Sequence, residues 1–269
     1  MSDATPGSPA TGDAGSTAET RRRPRARRLL LIALSVVVGL LLAGIIGILI
    51  WSQVGVMSAE PGPLDDVRSD DRVAMSEVDG SIVITPAAET SGVGLVFVPG
   101  AKVEAEAYAA ILAGVVADEG VTVVIARPWL NLAFFDPRPL TSFTDLVPDV
   151  STWLVGGHSL GGVRACQLAP DADGLVLFAS YCANDLAEAD LPVLSLSGSE
   201  DGLTTPQKVD DNRGLLPADA ALIEIPGASH ASFGDYGPQA GDGTPTISDA
   251  DMRADVTAAL ADLVATLPR

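Results

Sequence analysis

The run Thr152-Trp153-Leu154-Val155-Gly156-Gly157-His158-Ser159-Leu160-Gly161-Gly162 leaves the chain little choice of local fold. An apolar segment that ends in glycines around one hydroxyl reads as a strand entering a sharp turn. Gly157-His158-Ser159-Leu160-Gly161 fits G-x-S-x-G, which sets a serine on a strained strand-to-helix turn with its hydroxyl at the top of a sheet. Two residues either side of that serine the backbone runs so close to its neighbours that only glycine fits freely. Val163 to Ala169 then supply helix formers, and Pro170 stops them. The helix N-terminus therefore points at Ser159, where backbone N–H groups and the dipole favour a developing negative charge. A five-residue pattern is weak by itself; the strand before it and the helix after it give it weight.

Residues 1–28 are of another kind. Residues 1–20 are rich in Ser, Thr, Ala, Gly, Pro and Asp and read as a disordered tail, followed by an arginine cluster over residues 21–28. The cluster abuts an uncharged apolar segment from Leu29 to Trp51. At about 1.5 Å per residue that segment spans roughly 34 Å, enough to cross a hydrocarbon core of about 30 Å as a transmembrane helix. Trp51 suits an interfacial aromatic, and the arginines put the N-terminus in the cytoplasm and the rest of the chain outside it. The run is longer than a signal-peptide core and no clear cleavage site follows, so an uncleaved signal anchor is expected. Gly39, Ala43 and Gly47 form a small-residue stripe that leaves the oligomeric state open. Residues 52–72, polar and carrying Pro61 and Pro63, read as a linker. A domain of residues 73–269 follows, long enough for a full core.

Charge bounds the partners. The chain has 16 Lys and Arg against 35 acidic residues; six of the arginines and three of the acids precede Leu29, which leaves 10 against 32 beyond it, a net of −22. Such a surface repels nucleic acid and anionic lipid heads, so no nucleic-acid partner is expected, and the bilayer is met through the anchor.

Past the linker, short apolar runs alternate with helical patterns. Strands are predicted over residues 81–85, 95–98, 121–126, 152–155, 175–178, 193–196 and 221–225, and helices over 104–118, after Ser159, near 206–213 and near 248–267. Continuously apolar strands with helices between them call for a mostly parallel sheet covered on both faces.

A serine hydroxyl needs a base, and the base an orienting acid. The chain holds two histidines: His158, inside the turn and expected to point away from the hydroxyl, and His230, in a loop directly after the last predicted strand. Ser199-Glu200-Asp201-Gly202 follows the strand before that one, with Asp201 the expected acid, Glu200 its rival, and a turn role the alternative for Asp201. Serine, acid and histidine thus occur in that order, each at the C-terminal end of a strand.

On Phe97-Val98-Pro99-Gly100 with Tyr108, Gly157 to Gly162, Gly198 to Leu203, and His230-Ala231-Ser232-Phe233-Gly234-Asp235-Tyr236-Gly237-Pro238-Gln239, the chain resembles the α/β-hydrolase superfamily, in a compact, membrane-anchored actinobacterial, dienelactone-hydrolase-like branch. The resemblance implies an α/β-hydrolase fold, preceded by a single N-terminal transmembrane helix, and a carboxylesterase-like serine hydrolase. It would work on a small-molecule acyl substrate through Ser159 as nucleophile, His230 as base and Asp201 as orienter. It implies no cofactor and no metal. An oxyanion hole would combine the N–H of Leu160 with that of Ala101 or Lys102. A catalytically silent binding domain, or an acyltransferase with the same triad, is the alternative.

Trp129, Leu130 and Phe134 lie in an apolar loop after a strand end and are pocket candidates, with core packing as the other reading. Asp235, Asp242 and Asp249 lack the ligand spacing of a calcium loop. Cys166 and Cys182 are read as two buried thiols, although export permits a bridge between them. Residues 179–192, where this fold most often carries a lid, are too few for a capping domain, so a minimal or absent cap and a shallow site are expected.

Overall fold

The computed structural model describes residues 23–267; the tail expected over residues 1–20, with Arg21 and Arg22, lies outside the described residues. The chain divides into two units, Met1–Ile50 and Trp51–Arg269. The first is the helical stretch of α1 (Arg23–Gln53), which continues three residues into the second. Residues 26–53 are long and apolar enough to cross a membrane, and Leu29, Leu40, Leu41 and Ile50 are exposed along them.

The second unit is built on an eight-stranded sheet: β1 (Val73–Val78), β2 (Ser81–Pro86), β3 (Val93–Val98), β4 (Thr122–Ile125), β5 (Thr152–His158), β6 (Gly174–Phe178), β7 (Val193–Gly198) and β8 (Ala221–Ile225). Their spatial order is β1-β2-β4-β3-β5-β6-β7-β8. β2 pairs antiparallel with β1 and β4, and every other pairing is parallel. The chain passes from β3 to β4 on one side and then to β5 on the other, so a crevice opens at the carboxyl ends of β3 and β5, where ligand sites in open α/β sheets lie.

Each face of the sheet carries its own core. On one, α2 (Pro61–Ser69), α3 (Ala109–Glu119) and α7 (Asp249–Thr266) bury Val67, Leu112, Val116, Val256 and Leu260 against Leu95 and Phe97. On the other, α4 (Thr141–Thr144) and α5 (Leu160–Leu168) bury Phe143, Cys166 and Leu168 against Val96, Val124 and Val155. α6 (Pro206–Asp211) follows β7, capped by the Thr205 side chain. Truncating a side chain as enclosed as Leu112 to alanine costs about 2–5 kcal/mol.

Four expectations change. β1 was not foreseen, because this edge strand, Val-Ala-Met-Ser-Glu-Val, buries Val73 alone and so lacks the apolar signature of a strand. α3 begins at Ala109 rather than 104, since residues 105–108 form a 3-10 turn. Residues 52–72 are not a spacer: they carry α2, bury Val67, and pair Met57 with Val103. Finally, Cys166 and Cys182 are not free thiols but a disulfide, with Cα atoms 5.5 Å apart. The bridge ties the helix after Ser159 to the segment after β6, and closing a loop of this length contributes about 3 kcal/mol. Alkylation of the denatured protein should therefore add no mass without reductant and two adducts with it; two adducts without reductant would refute the bridge.

Candidate functional site

β5 runs into α5 through Ser159, whose φ of 52° and ψ of −121° lie outside the regions that L-residues favour. The turn is fixed from both sides. The Ser159 N–H donates to Phe178 O (3.0 Å), and the Ser159 carbonyl accepts from Ser180 Oγ (2.7 Å) and Gly162 N–H (3.0 Å). A Cβ on Gly157 would lie 2.4 Å from the Gly161 carbonyl carbon, and one on Gly161 2.0 Å from Val98 O, so both glycines answer close backbone approaches. Strain collects here. Of the six non-glycine residues with positive φ among the described residues, Lys102, Leu130, Asn131, Ser159 and Ala179 follow the carboxyl ends of β3 to β6, the pattern of backbone held by its surroundings for function.

The loops after β7 and β8 bring Asp201 and His230 together. Asp201 Oδ2 accepts from His230 Nδ1 at 2.8 Å, and both side chains are buried. Asp201 Oδ1 accepts from the N–H groups of Leu203 (2.8 Å) and Thr204 (2.6 Å). Glu200 is exposed, and among the described residues its carboxylate meets Ser199 Oγ (3.3 Å) and not the histidine. The His230 ring centroid is 4.5 Å from that of His158, the neighbour of Ser159. Among the described contacts no hydrogen bond joins Ser159 Oγ to the imidazole; unliganded sites often form that bond only when substrate arrives.

Asp242, weighed in the sequence only as a calcium ligand, clasps the two loops. Its Oδ1 accepts from Gly202 (3.1 Å), His230 (3.0 Å) and Gly243 (2.7 Å), and its Oδ2 from Ala231 (2.8 Å), all backbone N–H groups. Burial opposes its charge, but the N–H groups of Ala231, Gly202 and His230 outweigh burial and hold it below the usual carboxylate range. Asp235 instead pairs with Arg253. No signal in the sequence marked Asp242, because its partners lie up to 40 residues away.

His158 faces away from solvent, 1% exposed, with Nδ1 2.9 Å from Tyr108 Oη. Tyr108 Oη also accepts from Gly100 N–H at 2.9 Å, linking the serine turn to the loop after β3. Burial, and then the charge of His230, push the His158 pKa well down. A histidine held neutral when folded takes up its proton more readily when unfolded. It therefore lowers stability as pH falls below about 6.5, by up to about 1.4 kcal/mol per pH unit. His158→Gln should flatten the stability profile between pH 6.5 and 5 relative to wild type; identical slopes in chemical denaturation would refute this. Beneath the histidines, Phe97, Tyr108, Phe178 and Phe233 form an aromatic floor with ring centroids 5.1–5.5 Å apart.

Of the two loop N–H groups expected to face an oxyanion, that of Lys102 is unsuited: it donates to Asn131 O at 2.8 Å. Among the described residues the N–H groups of Ala101 and Leu160 have no acceptor. Of the pocket candidates, Trp129 and Phe134 are exposed and Leu130 is half-buried, so they do not pack in the core. Between β6 and β7, residues 179–192 contain no helix or strand.

This order of strands, with a serine on a strained turn after β5, defines an α/β-hydrolase fold. The chain belongs to the alpha/beta hydrolase family, whose model matches residues 94–254, more than half its length. Two solved structures share the fold. A predicted CIB-like hydrolase from Thermoplasma acidophilum is 13% identical, covering 71% of this chain and 100% of its own, with a TM-score of 0.51. A lidless a/b serine hydrolase from Xanthomonas campestris is 16% identical, covering 74% and 97%, with a TM-score of 0.51. No curated protein matches the chain.

Proposed function

We propose that this chain is a membrane-anchored serine hydrolase of carboxylic esters, of the dienelactone-hydrolase-like kind that residues 230–239 resemble. The 2.8 Å pairing of Asp201 with His230, beside the strained turn that carries Ser159, supports this reading most directly. Ser159 Oγ attacks the acyl carbon while its proton passes to His230 Nε2, and Asp201 stabilises the imidazolium through Nδ1–H. The carbonyl oxygen becomes an oxyanion facing the N–H groups of Leu160 and Ala101. Collapse of the intermediate expels the alcohol, which takes the proton from His230. Water then attacks the acyl-enzyme by the same route and releases the acid.

α1 is the anchor, with the arginines before its apolar segment on the cytoplasmic side and the catalytic domain outside. A fluorophosphonate probe should label the full chain, and Ser159→Ala should abolish labelling; an unlabelled wild type would overturn the reading in favour of a silent binding domain.

The open site left by residues 179–192 also restricts the acyl group. Each buried methylene is worth about 0.8 kcal/mol, so a shallow pocket stops rewarding chains beyond about butyrate. p-Nitrophenyl acetate to butyrate should be turned over best, without activation by micelles. A specificity constant rising steadily through dodecanoate would sink this.

A further inference from the structure

We infer that residues 51–59, where the chain leaves its apolar helix, are a strap that positions the loop bearing the Ala101 N–H; the catalytic part of this inference rests on the proposed hydrolase reading. Lys102 is fastened at every polar group. Its N–H donates to Asn131 O (2.8 Å), and its carbonyl accepts from Met57 N–H (2.7 Å). Its ammonium donates to Trp51 O (3.0 Å) and Val54 O (2.9 Å) and lies 4.0 Å from the centroid of the Trp51 ring. The strap grips on either side as well. Glu104 N–H donates to Met57 O (3.0 Å), the Glu104 carboxylate accepts from Ala59 N–H (3.1 Å) and Ser58 Oγ (3.2 Å), and Asn131 Nδ2 donates to Ser52 O (3.2 Å).

These bonds act on a residue that would not hold its shape unaided. Lys102 has a φ of 56°, a left-handed conformation that a non-glycine residue leaves unless its surroundings impose it. Ala101 sits between Lys102 and Gly100, whose N–H is held by Tyr108 Oη, so pinning both neighbours aims the N–H of Ala101. An oxyanion donor stabilises charge without reorganisation only when it is aimed in advance. Lys102 and residues 51–59 are thus positioning elements, and the exit from the anchor helix is part of the site.

The test uses the full chain in detergent. Lys102→Met keeps the aliphatic stem but loses the ammonium contacts, and Met57→Pro removes the N–H that holds Lys102 O. Each should lower kcat on p-nitrophenyl butyrate about tenfold with KM within about twofold, and Lys102→Arg should recover most of the loss. Hydrogen exchange over residues 100–104 should quicken in both. Wild-type kcat in both variants overturns the positioning role. So does a loss in Lys102→Met that tracks a lowered Tm or is not recovered by arginine. Unchanged exchange overturns the strap itself, and that readout decides the matter even if the wild type proves to have no Ser159-dependent turnover, a result that would fail the hydrolase reading instead.

Discussion

Asp201→Asn is expected to lower kcat on short-chain esters by about 10⁴-fold while the domain stays folded. The geometry says why a single atom matters. Oδ1 is held by the N–H groups of Leu203 and Thr204, so an asparagine there turns its carbonyl oxygen towards them and presents its NH₂ to His230 Nδ1. The imidazole must then accept at Nδ1 and carry its proton at Nε2, where it can no longer take one from Ser159. Glu200→Gln, at an exposed carboxylate, should stay within about twofold of wild type. Steady-state kinetics with circular dichroism as the folding control decide it; a large loss in Glu200→Gln with none in Asp201→Asn would move the acid by one residue.

Gly161→Ala should also be damaging, by another route. The added Cβ would stand 2.0 Å from Val98 O and 2.4 Å from Pro99 O, both backbone atoms that cannot rotate aside. The start of α5 and the loop after β3 must separate, and they carry the two N–H groups proposed to receive the oxyanion. Overpacking of this kind costs about 1–3 kcal/mol of stability. Disturbing such a donor pair lowers kcat by about 10²-fold or more. Urea denaturation and kcat should fall together; a variant with wild-type values of both would show that the elbow tolerates the side chain.

How much of this was legible beforehand differs between elements. β3 and the Trp153–Val155 stretch of β5 declared themselves because, buried on both faces, they are apolar; β1, half in water at the sheet edge, did not. The order serine, acid, histidine could be read along the chain, and Asp201 and His230 do meet. Asp242 and the strap could not be read. Residues 52–72 look like a linker because their composition is polar, yet their backbone groups find partners across 45 to 48 residues, at Glu104 and Lys102. Lys102 was read as a backbone donor, since no pattern in the sequence discloses that Asn131 O takes its N–H.

The sequence by itself determined the buried strands, the longer helices, the strained turn at Ser159 and an apolar helix long enough for a bilayer, because periodicity, glycine placement and run length act over a few neighbouring residues. Only the tertiary structure decided which carboxylate faces His230, that the two cysteines join, and what holds Lys102 in a left-handed conformation. Those depend on groups 16 to 51 residues apart meeting within hydrogen-bond or covalent reach, and that proximity is a property of the assembled sheet rather than of any stretch of chain.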